Sequence, residues 1–277
     1  MPDSAYTNRR DFLKRSVATA AAGPLALAQT ARGKTVSIVA DPSDPVVSAP
    51  PARWAAPELE RTLTGMGITV RHHNMLDKAA PSDFSIVASG RSVPNSPEAL
   101  AFAPTKVSGG PAIMASGSDT RGLVYALLEL ADRAQHAADP LAAMQISAPV
   151  VSRPANSVRS VQRLFVSDVE DKPWFNDREM WPHYLTMLAT QRFNRFNLSF
   201  GIGYDFLREV TDAYFLFLYP FLLTVPGYNV RAVNLPDAER DRNLETLRFI
   251  SEQTVARGLE FQLGFRGEEN EPQIPRR

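Results

Sequence analysis

The amino-acid sequence predicts an α/β protein made of two units. Short runs rich in Val, Ile, Leu and Phe alternate with longer segments in which apolar residues recur at the spacing of one helix face. The first pattern is typical of buried strands and the second of amphipathic helices. The segment 147–154, which contains Pro149 and Pro154, separates two such series. A chain of 277 residues is long enough for about two domains.

The first unit is expected over residues 35–146. A helix is predicted at 53–66, after a proline-rich loop, and a longer one at 120–134, where Asp119 is a suitable N-cap. Together these elements predict a small sheet with two helices on it, which can bury a core of its own. The β-branched and apolar runs that predict its strands lie at 35–40, 68–71, 84–88, 101–106 and 112–116.

The second unit is expected over residues 155–265, where strands and helices alternate. Pro236 and Asp237 suit a helix start, and Gly258 suits the end of the same helix. Repeated βα units predict parallel strands joined by right-handed crossovers. A further apolar run at 213–228 contains two prolines and is predicted to be a buried strand that leaves into a loop. The main elements are strands at 158–166, 194–200 and 259–263, and helices at 178–191 and within 235–257.

Residues 1–28 are predicted to be a bacterial export signal. Segment 8–14, with Arg9 and Arg10, resembles the twin-arginine consensus, and an alanine-rich stretch follows it. Ala26 and Ala28 suit a signal peptidase, so the twin-arginine translocation machinery is the expected partner and the periplasm or exterior the expected location. An ordinary amphipathic helix is the alternative. The apolar run is about 13 residues long, whereas a membrane span needs about 20.

Composition excludes several classes of site. Lys plus Arg and Asp plus Glu both number 30, which leaves no basic excess for binding nucleic acid. The chain has no cysteine and only four histidines, so no metal site and no cofactor is predicted. Gly201 and Gly203 follow a predicted strand, but Phe206 stands where a dinucleotide fingerprint requires a small residue. Nucleophile-elbow and phosphate-loop motifs are not found in the sequence.

Segment 115–130 carries the pattern Asp-x-Arg-Gly-Leu-x-Tyr-x-Leu-x-x-Leu. This pattern resembles the last strand and helix of the small N-terminal domain that precedes the catalytic barrel in β-N-acetylhexosaminidases and α-glucuronidases. The similarity extends to 56–59. Segments 159–168, 173–175 and 187–198 resemble the opening strand, helix and second strand of that barrel. The resemblance spans roughly residues 35–265 and implies a glycoside-hydrolase-like protein with carbohydrate as its ligand.

The barrel that the resemblance implies takes about 250 residues. Positions 158–277 provide about 120 residues and three predicted strands. The expected fold is therefore a small mixed-sheet α/β domain followed by the first βα units, about three, of an incomplete TIM-type barrel. Residues 266–277 lack apolar periodicity and are expected to be a disordered tail, from a premature end or a shifted reading frame. A three-strand α/β domain with a natural tail is the alternative.

Barrel enzymes carry their catalytic groups at the carboxyl ends of strands. The carboxylates at such positions are Asp168, Glu170 and Asp205, and glycoside hydrolysis needs two of them about 5 to 9.5 Å apart. Loop or helix-cap roles are the alternative for all three. In the resembled enzymes the catalytic carboxylates come from later strands, so the catalytic residues stay unassigned. Ser199 and Gln262 also occupy strand-end positions.

Two further residues are candidates for contact with a sugar. Arg163 lies within the first barrel strand and would bind sugar hydroxyls if its side chain points into the barrel, with an ion pair as the alternative. Trp174 is expected on the loop after that strand, where its ring would stack on a sugar. Trp181 is expected in the core, because it lies on the apolar side of its helix.

The sequence thus predicts the N-terminal fragment of an exported glycoside-hydrolase-like protein that acts on a polysaccharide or glycoconjugate and lacks a complete active site. The resemblance implies an acidic or N-acetylated sugar. A non-catalytic periplasmic carbohydrate-binding or interaction module is the alternative. A third interpretation is a gene remnant that does not fold stably, because an incomplete barrel would leave strand edges exposed.

Overall fold

A computed structural model describes residues 34–90, 96–165, 168–200, 219–228, 231 and 235–265. The chain divides between Arg153 and Pro154 into two compact units, and each is described by itself. The predicted signal residues Arg9, Arg10, Ala26 and Ala28 lie outside the described residues, as does the tail 266–277. Within the described ranges, no helix is long and apolar enough to cross a membrane.

The first unit contains one mixed sheet of six strands. These are β1 (Thr35–Ala40), β2 (Thr69–His73), β3 (Phe84–Ser89), β4 (Leu100–Val107), β5 (Gly110–Gly117) and β6 (Val150–Ser152). Their spatial order is β2-β1-β3-β5-β4-β6. The first four in this order are mutually parallel, whereas β4 runs antiparallel to β5 and to β6. Ser108 and Gly109 both have positive φ, which is the backbone that a tight β4–β5 hairpin requires.

Three helices complete the first unit: α1 (Pro50–Gly65), α2 (Thr120–Gln135) and α3 (Pro140–Met144). Helices α1 and α2 pack on one another and bury Leu59, Leu63, Leu123 and Leu127. Asp119 caps α2 as predicted, because its side chain accepts a hydrogen bond from the Gly122 N–H. The opposite face of the sheet is covered in part by the β2–β3 connection, whose Ala79 packs in a small apolar cluster.

The structure corrects two predictions for this unit and adds two elements. The expected linker 147–154 contains β6, which lies between Pro149 and Pro154 and pairs with β4 at the edge of the sheet, where prolines are tolerated. Helix α1 begins at Pro50 rather than at residue 53, because proline is well accommodated in a first helical turn. Helix α3 and a 3₁₀ turn at Leu76–Lys78 were not predicted.

The second unit contains three parallel strands: β7 (Ser160–Phe165), β8 (Arg195–Phe200) and β9 (Glu260–Phe265). Their spatial order is the same as their chain order. In the described part of this unit, four helices connect or flank them: α4 (Asp168–Phe175), α5 (Met180–Thr190), α6 (Tyr219–Leu222) and α7 (Asp237–Ala256). The predicted fold class, a mixed α/β protein with mostly parallel strands, is confirmed.

One side of this second sheet carries a core rich in aromatic residues. Phe165, Phe196 and Phe200 of the strands pack with Trp181 and Leu185 of α5. Trp181 is fully buried, as expected, and its indole N–H donates to the Phe175 carbonyl at 2.9 Å. The core therefore fixes which side of each strand faces the helices.

Two elements of the second unit differ from prediction. Trp174 was expected on a loop, but it lies in helix α4, which contains Pro173 in its interior. The described part of the run at 213–228 forms the single turn α6 instead of a strand, with Pro220 at its second position. Proline is compatible with a first helical turn, where its missing N–H has no intrahelical partner. Residues 213–218 lie outside the described part.

Candidate functional site

The second sheet has two faces of opposite character. Strand side chains point alternately to the two faces. Phe165, Phe196, Leu198, Phe200 and Phe261 face the helices and belong to the core. The alternate positions form the other side, which we call the polar face: Ser160, Gln162, Leu164, Arg195, Asn197, Ser199, Glu260, Gln262 and Gly264.

Strand register arranges the polar face in three rows across the sheet. The middle row consists of Gln162, Asn197 and Gln262, which are paired in register on neighbouring strands. Adjacent strands lie about 4.8 Å apart, so these three amide side chains are neighbours. The row nearest the carboxyl ends holds Leu164, Ser199 and Gly264, and the row nearest the amino ends holds Ser160, Arg195 and Glu260.

A directed chain of hydrogen bonds joins two of these rows. The Gln162 Nε2 donates to Ser199 Oγ at 2.8 Å, and Ser199 Oγ donates to Asn197 Oδ1 at 2.7 Å. Among the described residues, neither the Gln162 carbonyl oxygen nor the Asn197 amide N–H has a hydrogen bond, and the exposed Gln262 amide has none. The middle row therefore retains both donors and acceptors for a polar ligand.

Gly264 makes room for this chain of hydrogen bonds. A Cβ atom at position 264 would lie 2.3 Å from Ser199 Oγ and 3.3 Å from Asn197 Oδ1. Any larger residue would therefore displace the hydroxyl that connects Gln162 to Asn197. The bridging geometry of Ser199 depends on a glycine in the adjacent strand.

The charged pair of the polar face lies in the row nearest the amino ends. Arg195 donates to Glu260 Oε2 from Nε at 3.0 Å and from Nη2 at 2.8 Å. Both side chains are partly exposed, so the pair contributes about 0–1 kcal/mol. The other described side chains of the polar face are uncharged. They can hold and orient hydroxyl or amide groups, but they have no suitable group for proton transfer near pH 7.

Buried Asn194 links the amino-terminal ends of the three strands by hydrogen bonds. Asn194 accepts from the Arg159 backbone N–H at 2.9 Å and donates from Nδ2 to the Ser157 carbonyl at 2.7 Å. Its own carbonyl accepts from the Glu260 N–H at 2.8 Å. In barrels this end of the sheet serves stability rather than catalysis, so we assign Asn194 a structural role.

Arg163 lies on the helix side of β7, between the core positions Val161 and Phe165. Its guanidinium lies 4.1 Å from the ring centroid of Trp174 and 5.5 Å from that of Tyr184. Arg163 was expected to bind sugar only if its side chain pointed into the barrel. Its side chain points to the helix side instead. Burial raises the pKa of Tyr184, and the neighbouring Arg163 cation lowers it in part.

Trp174 lies on helix α4 rather than on a loop. Its indole N–H donates to Asp171 Oδ1 at 2.8 Å, and its ring makes edge contacts with Phe165 and Trp181. Because the Arg163 guanidinium already covers the ring, the structure does not present Trp174 as an open stacking surface for a sugar.

Only one of the three predicted carboxylates, Glu170, has a described side chain. Glu170 is exposed on helix α4. Asp168 begins that helix, but its side chain lies outside the described part, and so does the whole of Asp205. A carboxylate pair therefore stays a prediction. No group of three or more metal-ligating side chains occurs among the residues that the structure describes.

The motif in segment 115–130 has a packing role in the first unit. Buried Glu98 has a φ of 59° and accepts from Arg121 Nη1 at 2.9 Å and from the Tyr125 hydroxyl at 3.2 Å. Asp119 Oδ2 accepts from the Glu98 N–H at 2.8 Å. A Cβ atom on Gly122 would lie 2.1 Å from the Ala99 carbonyl oxygen. These motif residues fasten the start of α2 to the segment before β4.

Asp44 closes the position where a ligand crevice commonly forms in an open α/β sheet. The chain leaves β1 toward β2 on one side and returns to β3 on the other, so the loops after β1 and β3 meet at a topological switch point. There the Asp44 carboxylate accepts from the backbone N–H groups of Val46, Val47 and Gly90 at 2.9, 3.3 and 2.8 Å. The three backbone N–H groups thus donate to Asp44 and not to a ligand.

Comparison with known proteins identifies the fold. No protein-family model matches the chain, and no curated protein matches its sequence. Among solved structures, a GH138 enzyme targeting pectin rhamnogalacturonan II matches with a TM-score of 0.57 and 20% identity over 81% of this chain. The chain has a glycoside-hydrolase-like fold. It spans only 30% of the GH138 enzyme's length.

Two further matches are more distant. The GH20 chitobiase of Flavobacterium johnsoniae gives a TM-score of 0.47 and 14% identity, over 83% of this chain and 31% of that one. The protein CpGH84D gives a TM-score of 0.37 and 12% identity, over 84% of this chain and 41% of that one. These two likenesses carry no argument about site residues.

Gln162, Asn197 and Gly264 were missed as site residues by sequence reasoning, although a signal was present. The strands contain the segments Val-Gln-Arg-Leu-Phe, Phe-Asn-Leu-Ser-Phe and Phe-Gln-Leu-Gly-Phe. When these are aligned, an amide residue occupies the second position of each. Strict alternation then places all three amides on the face opposite the aromatic residues.

Proposed function

We propose that this chain provides the N-terminal α/β domain and the opening βα units of an exported carbohydrate-active protein, and that its polar face binds saccharide. The observation that carries this proposal is the Gln162–Ser199–Asn197 chain of hydrogen bonds beside Gln262 on a glycoside-hydrolase-like sheet. In parallel α/β barrels the face opposite the helices is the interior, and ligands bind at its carboxyl-terminal end. The middle row and the row beyond it lie toward that end.

In this proposal the described polar face contributes binding without bond cleavage. Hydrolysis of a glycosidic bond normally requires an acid and a second carboxylate. The carboxylate on this face, Glu260, is paired with Arg195 in the row nearest the amino ends, away from the proposed site. Pectic oligosaccharides are the first ligands to test, because the GH138 neighbour targets pectin rhamnogalacturonan II.

The binding test is isothermal titration of the purified chain, without residues 1–28, against pectic oligosaccharides. We expect Gln162→Ala and Gln262→Ala each to weaken binding by about tenfold, because loss of a hydrogen bond to a ligand costs about 1–1.5 kcal/mol. Gln191→Ala is the matched control, since Gln191 is exposed outside the polar face and should leave affinity unchanged. Failure of the wild-type chain to bind any oligosaccharide would overturn the proposal.

An enzyme is the alternative, with the pair drawn from Asp168, Glu170 and Asp205. Release of the chromophore from aryl glycosides would distinguish the two, because a binding protein gives no turnover. Turnover that is abolished by Glu170→Gln or Asp205→Asn would favour the enzyme over the binding function.

We also propose export by the twin-arginine pathway, on the strength of Arg9, Arg10 and the Ala26-Leu27-Ala28 site. The test fuses residues 1–40 to a reporter that is exported only after it has folded. Replacing both arginines by lysine should retain the reporter inside the cell, whereas the control substitution Lys14→Arg should not. Export that persists in the double-lysine variant would contradict the assignment.

A further inference from the structure

We infer that the polar face recognises an uncharged, hydroxyl-bearing edge of a sugar and discriminates against a carboxylate at the same place. This inference rests on the proposed saccharide binding and specifies its substrate class. Of the two kinds of sugar that the sequence resemblance implied, acidic or N-acetylated, it excludes the acidic one at this place.

The first argument comes from the direction of the hydrogen-bond chain. The Ser199 hydroxyl has one proton, so it can donate to only one of its two amide neighbours and accepts from the other. One end of the chain therefore presents an amide carbonyl and the other an amide N–H. This remains true if both amides are rotated and the direction reverses. The middle row therefore presents both a hydrogen-bond donor and a hydrogen-bond acceptor to a ligand.

A hydroxyl group matches such a surface, whereas a carboxylate does not. A hydroxyl donates one hydrogen bond and accepts others, so it can satisfy the carbonyl at one amide and the N–H at the next. An ionised carboxylate only accepts, and it would face the amide carbonyl without a proton between them. Leaving that acceptor desolvated and unpaired weakens binding of the carboxylate.

The second argument is the position of positive charge. The cation of the polar face is Arg195, which directs two N–H groups at Glu260 and lies one row away from the amides. One row is two residues, or roughly 6.6 Å along a strand. Within the described residues, the middle row and the row beyond it contain no Lys or Arg with which a carboxylate could pair.

The third argument is the surface next to the amides. Leu164 is 42% exposed and lies in the row nearest the carboxyl ends, in register with Ser199 on the neighbouring strand. The C–H face of a neutral sugar ring can cover this apolar side chain while its hydroxyls reach the amides. A charged substituent at that place would lose hydration without gaining a partner.

The test compares one pectic oligosaccharide with its carboxyl-reduced form, so that linkage and length are constant and each carboxylate becomes a primary hydroxyl. Titration of the wild-type chain should give about tenfold tighter binding of the reduced form. Gln262→Lys places a cation in the middle row and should reverse the preference, whereas the matched control Gln191→Lys should leave it unchanged. Thermal unfolding of each variant verifies that the fold is retained.

The outcomes distinguish failure of this inference from failure of the proposed saccharide binding. If neither oligosaccharide binds, the proposed saccharide binding is wrong and the inference falls with it. If both bind and wild type prefers the acidic form, or if Gln262→Lys does not change the preference, only the inference is overturned. Preference for the reduced form that reverses in Gln262→Lys supports both.

Discussion

In the first unit the buried carboxylates are paired inside the protein, whereas in the second unit the polar groups of the sheet remain available on an open face. Glu98 is held by Arg121 and Tyr125, and Asp44 is held by three backbone N–H groups. Gln162, Asn197 and Gln262 keep hydrogen-bonding atoms that no described residue occupies. Polar residues thus stabilise one sheet, whereas in the other they keep hydrogen-bonding atoms that are unoccupied among the described residues.

This difference explains why the most recognisable motif is not the site. Asp119, Arg121 and Gly122 are required by packing geometry, so their spacing is tightly defined in the sequence. The amides of the polar face are separated by long stretches of chain and are joined only by strand register. A row of side chains that is assembled by strand register has no local motif.

The largest expected effect on stability lies in the first unit. Gly122→Ala should destabilise the first unit by about 3 kcal/mol, because its new Cβ would meet the Ala99 carbonyl oxygen at 2.1 Å. Hydrogen exchange resolved by peptide should show faster exchange across 34–153 and unchanged exchange across 154–265. Gly65→Ala is the control: nothing lies within 4 Å of its Cβ, so stability should stay equal or rise slightly. Equal effects of the two substitutions would contradict the packing role of Gly122.

A smaller loss of stability is expected in the second unit, at the amino-terminal ends of its strands. Asn194→Ala removes two side-chain hydrogen bonds from a buried site and should lower the free energy of unfolding by about 2 kcal/mol. Urea denaturation measures this change. The exposed Asn156→Ala should stay within about 0.5 kcal/mol of wild type. A drop in saccharide affinity without a drop in stability would show that Asn194 belongs to the site instead.

Alkaline pH should affect the second unit through Tyr184. Burial raises the pKa of this phenol, so its stabilising contribution is complete below about pH 10 and is lost as pH rises above that value. Tyr184→Phe should therefore flatten the decline in urea midpoint between about pH 9 and about pH 11. Tyr228 is 70% exposed, and Tyr228→Phe should leave the decline unchanged.

The smallest effect is expected at the one charged row of the polar face. A double-mutant cycle of Arg195→Ala and Glu260→Ala should give a coupling energy of about 0.2–1 kcal/mol that shrinks in high salt. A coupling of several kcal/mol would mean that this pair is a structural anchor like Glu98 and Arg121, and the contrast between the two units would weaken.

Much of the fold could be predicted from the sequence, because the spacing of apolar residues indicates which face of each helix or strand is buried. Strand β1 and the start of α2 were placed correctly, since β-branched residues and the Asp119 cap are strong local signals. Strand β6 and helix α4 were missed. The three residues of β6 form a strand only through pairing with β4, and Pro173 hides the helical pattern of α4.

The candidate site was less predictable. Ser199 and Gln262 were noted as strand-end positions, but their partners depend on register, which sequence pattern fixes only when the strands are aligned with one another. Arg163 and Trp174 were predicted to contact sugar because a charge and an indole near the end of a barrel strand suit that role. Their mutual stacking on the helix side shows that residue type alone does not reveal which face a side chain takes.

The two indoles of the second unit also have an optical consequence. The rings of Trp174 and Trp181 lie 5.8 Å apart at an interplanar angle of 65°. Two indole rings this close couple excitonically when their transition dipoles are skewed, so we expect a bisignate circular-dichroism band from this pair. Trp54 lies on α1 in the other unit, so the couplet reports the integrity of the aromatic core around β7 and α5.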